Sequence, residues 1–318
     1  MREYDAFGHD FVLYKMFTNK KNFKGEHINT DYYGYRLSKY ANNFISLKSE
    51  EFKASEVNII LGASTAFGVG STKDETTIAS YLHSLSGQKW INLGVRACNS
   101  MQEIINIISV LDKVNINQVI ILSGINDIYL SLNSNETESS EDSIFYNNLF
   151  AKIFEGVEHQ HIGWKRKLYN KFMFKKNQKL IKDKKSLNQK VNVTERIELT
   201  IKRNFLFYSL LTNKDIKVKF FLQPFFGWIE KKNNNKENEI IKFLNKTRSI
   251  SDTLVKINMK VYNDVKSIYS KYSQIYDIDF FDLNSLNTLK GDAFLFVDRV
   301  HLSDLGYKFI SDFIHKQL

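Results

Sequence analysis

Val57-Asn58-Ile59-Ile60-Leu61-Gly62-Ala63-Ser64-Thr65 sets a short apolar run against a glycine and two hydroxyl residues. Five residues of this kind are the length of a strand buried on both faces. The glycine lets the chain turn sharply, and Ser or Thr directly after it is ordinary helix N-cap chemistry. The stretch therefore reads as strand, turn and helix start. Similar apolar runs follow at Trp90–Leu93, Gln118–Leu122, Lys217–Leu222 and Ile278–Leu283. Between and after them, helical periodicity fits Thr76–Leu85, Ser100–Asn115, Glu237–Lys271 and a last segment capped at Ser303 or Asp304. Strands alternating with helices predict an α/β fold with a five-stranded parallel sheet.

The 318 residues suffice for one large α/β domain, and 43% hydrophobic with 25% charged residues is the composition of an ordinary globular chain. Residues 1–50 are aromatic and irregular, with a patch at Asp31-Tyr32-Tyr33-Gly34-Tyr35-Arg36, and read as a lead-in packing on the sheet edge. Residues 51–318 carry the α/β pattern, interrupted by a helical insertion at about 133–213. Cys98 is the single cysteine and has no internal disulfide partner. The N-terminal residues lack the unbroken apolar core of a signal peptide, and no stretch approaches a membrane span. The expected location is cytoplasmic, with peripheral attachment to an inner membrane as an option.

Ligands of open α/β sheets bind at the carboxyl ends of the strands, so residues placed there are candidates for chemistry. Ser64 follows the first strand, where its own N–H would point into a site at a helix entrance. Asn92-Leu93-Gly94 closes the second strand. Gly94 serves either a turn or the close approach of its N–H to a substrate oxygen. Ser123-Gly124-Ile125-Asn126-Asp127 closes the third, and the Asn126 side chain either donates to a developing oxyanion or makes an ordinary turn. Near the C-terminus, Asp298-Arg299-Val300-His301 spaces a carboxylate and an imidazole three residues apart on a loop before the last helix.

In that order, the four blocks resemble the SGNH, or GDSL, hydrolase family. Phe221-Leu222-Gln223-Pro224 and Tyr33-Gly34-Tyr35-Arg36 are similar to members acting on cell-surface glycans. The resemblance implies a flavodoxin-like three-layer α/β/α fold and acyl-ester chemistry without a cofactor or metal. It implies Ser64 as nucleophile, His301 as base and Asp298 as the residue that orients the base. The oxyanion hole would be the N–H groups of Ser64 and Gly94 with the side-chain amide of Asn126. Gln223 is expected to bind substrate, and Arg96 either holds an anionic substrate group or is a surface arginine. Two positions depart from the family pattern: Ala63 stands where relatives have Asp, and Val95-Arg96 follows Gly94 where a second glycine is common.

The substrate expected on this resemblance is an acyl ester, chiefly O-acetyl, on a carbohydrate or surface-polysaccharide precursor. An O-acetyltransferase using the same three residues, or a non-catalytic glycan-binding protein, remains an alternative. Between Lys165 and Lys190 stand eleven Lys or Arg and one acid, a local excess equal to the +10 net charge of the whole chain. With Trp164, Leu168, Phe172 and Phe174 interleaved, segment 164–190 reads either as a solvated face or as a contact to an anionic membrane surface. No nucleic-acid reading motif accompanies it. His159 and His161 lack further ligands at metal spacing, and no phosphate-binding or dinucleotide motif is present.

Overall fold

A computed structural model describes residues 2–47, 56–133, 192–232, 234–247 and 250–318. The basic segment 164–190 and the histidine pair His159/His161 lie outside the described residues. The chain opens with helix α1 (Arg2–Ala6), hairpin β1 (His9–Val12) with β2 (Met16–Asn19), and hairpin β3 (Ser38–Tyr40) with β4 (Asn43–Ile45). Then come β5 (Glu56–Gly62), the short α2 (Ser64–Phe67), α3 (Ile78–Ser86), β6 (Trp90–Asn92) and α4 (Ser100–Ile108). These are followed by β7 (Asn115–Ser123), α5 (Ile125–Asn133), α6 (Val193–Thr212) and β8 (Lys217–Leu222). Helices α7 (Asn235–Thr247), α8 (Ile250–Lys256) and α9 (Met259–Tyr276), strand β9 (Asp279–Asp282) and helix α10 (Asp304–His315) complete the described elements.

The five later strands form one parallel sheet in the order β6-β5-β7-β8-β9. Successive side chains of a strand point to opposite faces, and the core divides accordingly. Ile59, Leu61, Val119, Ile121, Phe220 and Leu222 join the helices α4, α6 and α9 on one face. Ile60, Ile120, Leu122 and Phe221 meet α3 and α10 on the other. Burial on both faces explains why these strands read as continuous apolar runs and not as alternating ones. The expected three-layer α/β/α fold with five parallel strands is borne out.

Several boundaries differ from the sequence expectation. The helix expected to reach Asn115 ends at Ile108, yet Val110 and Val114 beyond it stay buried, so apolar periodicity continues through turns. The run expected as one helix over Glu237–Lys271 is divided into α7, α8 and α9. Asn258 makes the second break, its side chain accepting from the N–H groups of Lys260 and Val261 as the cap of α9. Within the range read as an insertion, α6 buries Ile197, Ile201, Phe205 and Tyr208 in the core between β7 and β8, where a parallel sheet requires a crossover helix.

The β3–β4 hairpin lies against α3 and the edge strand β6 through β3. The residues flanking the first hairpin do something the sequence left unread. Tyr4, Phe7 and Ile28 form a small cluster with Phe67 and Val69, directly behind the turn at Ser64.

Candidate active site

Ser64 opens α2 on a backbone turn that only glycine allows. Gly62 has φ +154, and a Cβ there would lie 2.2 Å from the carbonyl oxygen of Leu122 on the neighbouring strand. Helix α2 runs four residues and stops at Gly68. Its first N–H groups, that of Ser64 included, have no intrahelical acceptor. Ala63 occupies the N-cap position with no side-chain hydrogen bond, so the cap a polar residue would supply is missing. The opposite end of α2 is held instead. Arg36 Nη1 donates to the carbonyls of Gly68 at 2.8 Å and Phe67 at 3.4 Å, and Tyr4 Oη donates to Gly68 O at 2.9 Å. Arg36 is itself buried and paired with Asp74 at 2.7 Å.

Asp298 and His301 occupy the tip of a tight loop whose base is the antiparallel bridge between Phe296 and Leu302. The three-residue spacing closes on itself. Asp298 Oδ1 accepts from the N–H groups of Val300 (2.7 Å) and His301 (2.8 Å), while Oδ2 accepts from His301 Nδ1 at 2.7 Å. A carboxylate only accepts, so the proton sits on Nδ1 and Nε2 is left as an acceptor. Ser64 Oγ lies 2.7 Å from that Nε2. Burial opposes ionisation of Asp298. The adjoining His301 and the three hydrogen bonds outweigh it and hold the carboxyl below the usual carboxylate range. His301 and Asp298 side chains keep 18% and 16% of their surface exposed, so the pair is reachable from solvent but largely enclosed.

The structure brings Ser64, Asp298 and His301 into one hydrogen-bonded chain, with Gly94 in the loop after β6 and Asn126 in the first turn of α5 after β7. Gly94 packs so closely on α2 that a Cβ would sit 2.2 Å from Phe67 N. Its N–H has a single proton, and that proton goes to Asn92 Oδ1 at 2.8 Å. Asn126 Nδ2 donates to the Cys98 carbonyl at 2.6 Å, which leaves the second amide hydrogen available.

Two expectations on substrate binding need correction. Arg96 does not hold its guanidinium toward the triad. It donates to the carbonyls of Tyr4 at 2.5 Å, of Phe7, and of Gly8 at 3.4 Å, and stacks over the Phe7 ring at 4.5 Å, fastening the N-terminal segment. The carbonyls of that segment are strong acceptors close at hand, and they take three donations from the two terminal nitrogens of the planar fork. Gln223 is 2% exposed, and its Nε2 donates to Thr65 Oγ1 at 3.1 Å. Its amide is inside the protein, behind the nucleophile.

Arg36, Tyr4, Thr65 and Asn92 support the site without having been assigned a role from the sequence. Arg36 stood in the Tyr33-Gly34-Tyr35-Arg36 patch and Thr65 and Asn92 in the strand-end blocks, while Tyr4 carried no signal. Among the described residues, no group of three or more His, Cys, Asp or Glu is placed to hold a metal ion, and no helix is long and apolar enough to cross a membrane.

No protein-family model and no curated protein matches the chain. Solved structures that resemble it include esterases and a GDSL-like lipase. An acetyl xylan esterase matches at 14% identity over 83% of this chain and 100% of its own, with TM-score 0.43. The native aryl esterase of M. smegmatis matches at 10% identity over 83% and 98%, with TM-score 0.47. A GDSL-like lipase from Bacteroides thetaiotaomicron matches at 14% identity over 86% and 91%, with TM-score 0.39.

Proposed function

We propose that this chain is a serine-dependent carboxylic ester hydrolase acting on acyl esters, chiefly O-acetyl esters of a carbohydrate. The observation that carries the reading is the unbroken hydrogen-bonded chain from Ser64 Oγ through His301 to Asp298, both links at 2.7 Å. This is the arrangement of nucleophile, base and orienter that nucleophilic catalysis requires. The carbohydrate as substrate class rests on the sequence resemblance.

In the first half-reaction Ser64 Oγ attacks the ester carbonyl carbon while its proton passes to His301 Nε2. Asp298 holds the imidazole in the receiving tautomer and stabilises the imidazolium. The carbonyl oxygen becomes an oxyanion, met by the Ser64 N–H and the second amide hydrogen of Asn126. Gly94 N–H would add a third donation only by leaving Asn92 Oδ1. The tetrahedral intermediate then collapses. The C–O bond to the alcohol breaks, and His301 gives its proton to the departing oxygen. Water repeats the sequence on the acyl-Ser64 ester, releasing the carboxylic acid and restoring Ser64.

Hydrolysis of p-nitrophenyl acetate by the purified protein, beside Ser64→Ala and His301→Ala, tests this. Turnover lost in both variants supports the reading. Equal rates in all three proteins would sink it. Acetyl transfer that appears only when a sugar acceptor is added would replace it with the transferase.

A further inference from the structure

Gln223 leaves β8 tightly fixed. Its N–H donates to Ser123 O at 3.1 Å and its carbonyl accepts from Asn284 Nδ2 at 3.1 Å. From this anchor its side-chain Nε2 donates to the hydroxyl of Thr65, the residue after the nucleophile, at 3.1 Å. Thr65 is fully buried. An amide nitrogen only donates, so Thr65 Oγ1 accepts here, and the one proton of the hydroxyl is directed elsewhere. The acceptor it faces is the Val300 carbonyl, at the long distance of 3.5 Å.

That carbonyl belongs to the peptide unit whose N–H is the N–H of His301. The same N–H donates to Asp298 Oδ1 at 2.8 Å. The Val300–His301 peptide is planar; Asp298 holds its hydrogen at 2.8 Å, and the Thr65 hydroxyl stands over its oxygen at 3.5 Å. The two contacts together bear on the plane of the unit that leads into the His301 Cα, and hence on where the imidazole starts. The link also runs between the immediate neighbours of the two reacting residues, Ser64 and His301, which come from opposite ends of the chain.

We propose that Thr65 and Gln223 are positioning residues for His301: Gln223 orients the Thr65 hydroxyl, and that hydroxyl holds the Val300–His301 peptide so that Nε2 faces Ser64. This rests on the serine hydrolase reading of the site. It also accounts for a glutamine amide inside the protein at a strand end that faces the site.

The test compares Thr65→Val, which keeps the shape and loses the hydroxyl, with Thr65→Ser, which keeps the hydroxyl, and with Gln223→Glu. The ionised carboxylate of the Gln223→Glu variant would accept from Thr65 and turn its proton away from Val300. With p-nitrophenyl acetate, Thr65→Val is expected to lower kcat about tenfold with KM little changed, because small misplacements of a base are costly. Thr65→Ser should restore most of the rate. Gln223→Glu should lose rate as pH rises through the titration of its carboxyl, a dependence absent from the parent.

A readout that needs no turnover is the downfield proton NMR signal of His301 Nδ1–H, assigned by its loss in His301→Ala. It is expected to shift or broaden in Thr65→Val and to return in Thr65→Ser. An unchanged signal in Thr65→Val, or Thr65→Val and Thr65→Ser behaving alike, overturns the proposal. Absence of Ser64-dependent turnover in the parent protein would remove the esterase reading, and the NMR comparison would still decide the positioning role.

Discussion

His301 Nε2 stands 2.7 Å from Ser64 Oγ across a separation of 237 residues. Their meeting does not depend on that one bond. The loop behind Ser64 is stitched to the segment behind His301 at several points. Tyr307 Oη donates to Val69 O at 2.8 Å, and Asp304 accepts from Thr72 N at 2.8 Å and Thr76 Oγ1 at 2.7 Å. Gly70 approaches Leu302 O so closely that a Cβ would lie 2.3 Å from it. The site is therefore held by contacts separate from the reacting atoms.

Asp298→Asn preserves the size of the side chain but offers an amide where His301 Nδ1–H needs an acceptor. The expected result is a fall in kcat of about 10⁴, the scale seen when a triad orienter is replaced this way, measured by steady-state hydrolysis. Stability carries a second signature. The carboxyl is held below its ordinary range in the folded chain, so its contribution is present above the unfolded value and lost as pH falls through the folded one. Urea unfolding of Asp298→Asn should lose less stability than the parent on acidification below about pH 4.

Asn126→Ala removes the only side-chain donor assigned to the oxyanion. A drop of about 10²–10³ in kcat is expected, with KM little affected. A larger change in KM than in kcat would mean that Asn126 binds ground-state substrate instead.

Arg36→Met takes the cation from a buried pair and leaves Asp74 enclosed without it. Unfolding should cost about 3–5 kcal/mol less than in the parent. Arg36→Lys should recover part of this only. An ammonium has three donors, whereas Arg36 serves Asp74, Tyr4, His27, Phe67 and Gly68.

Asp127→Asn should raise stability at neutral pH. Burial pushes the Asp127 carboxyl up to about 6 from 3.8, against hydrogen bonds from Ser100 that pull it down. A raised carboxyl favours folding at low pH, and that contribution is lost as pH rises through about 6. An amide oxygen can still accept from Ser100. Denaturant midpoints measured between pH 4 and 8 should therefore fall less steeply in the variant.

Arg96→Ala should leave the ratio of KM values for anionic and neutral esters unchanged while lowering the unfolding midpoint. The guanidinium is committed to the carbonyls of residues 4, 7 and 8. A selective rise in KM for anionic esters would restore a substrate-binding role.

Much of the fold was legible because its signals are local. A strand buried on both faces is a short apolar run wherever it occurs, and each of the five runs became a strand of the sheet. The Asp298-to-His301 pairing was legible for the same reason, since a three-residue spacing closes its hydrogen bonds within one loop. Helix ends were less so. Apolar periodicity ran on through the turns after Ile108 and across the break at Asn258, because the residues there still face the core.

What only the tertiary structure decided is where long side chains find their acceptors. Arg96 stands two residues after Gly94 and Gln223 directly after a strand of the sheet, and nothing local distinguishes an arginine that meets substrate from one that meets the carbonyls of residues 4–8. The same holds for Gly94, whose N–H is contested by Asn92 two residues away. The sequence by itself determined the strands, the turn at Gly62 and the chemistry available at the strand ends. Which of those groups remain unbonded, and so able to meet a substrate, depends on donors and acceptors brought together from distant parts of the chain.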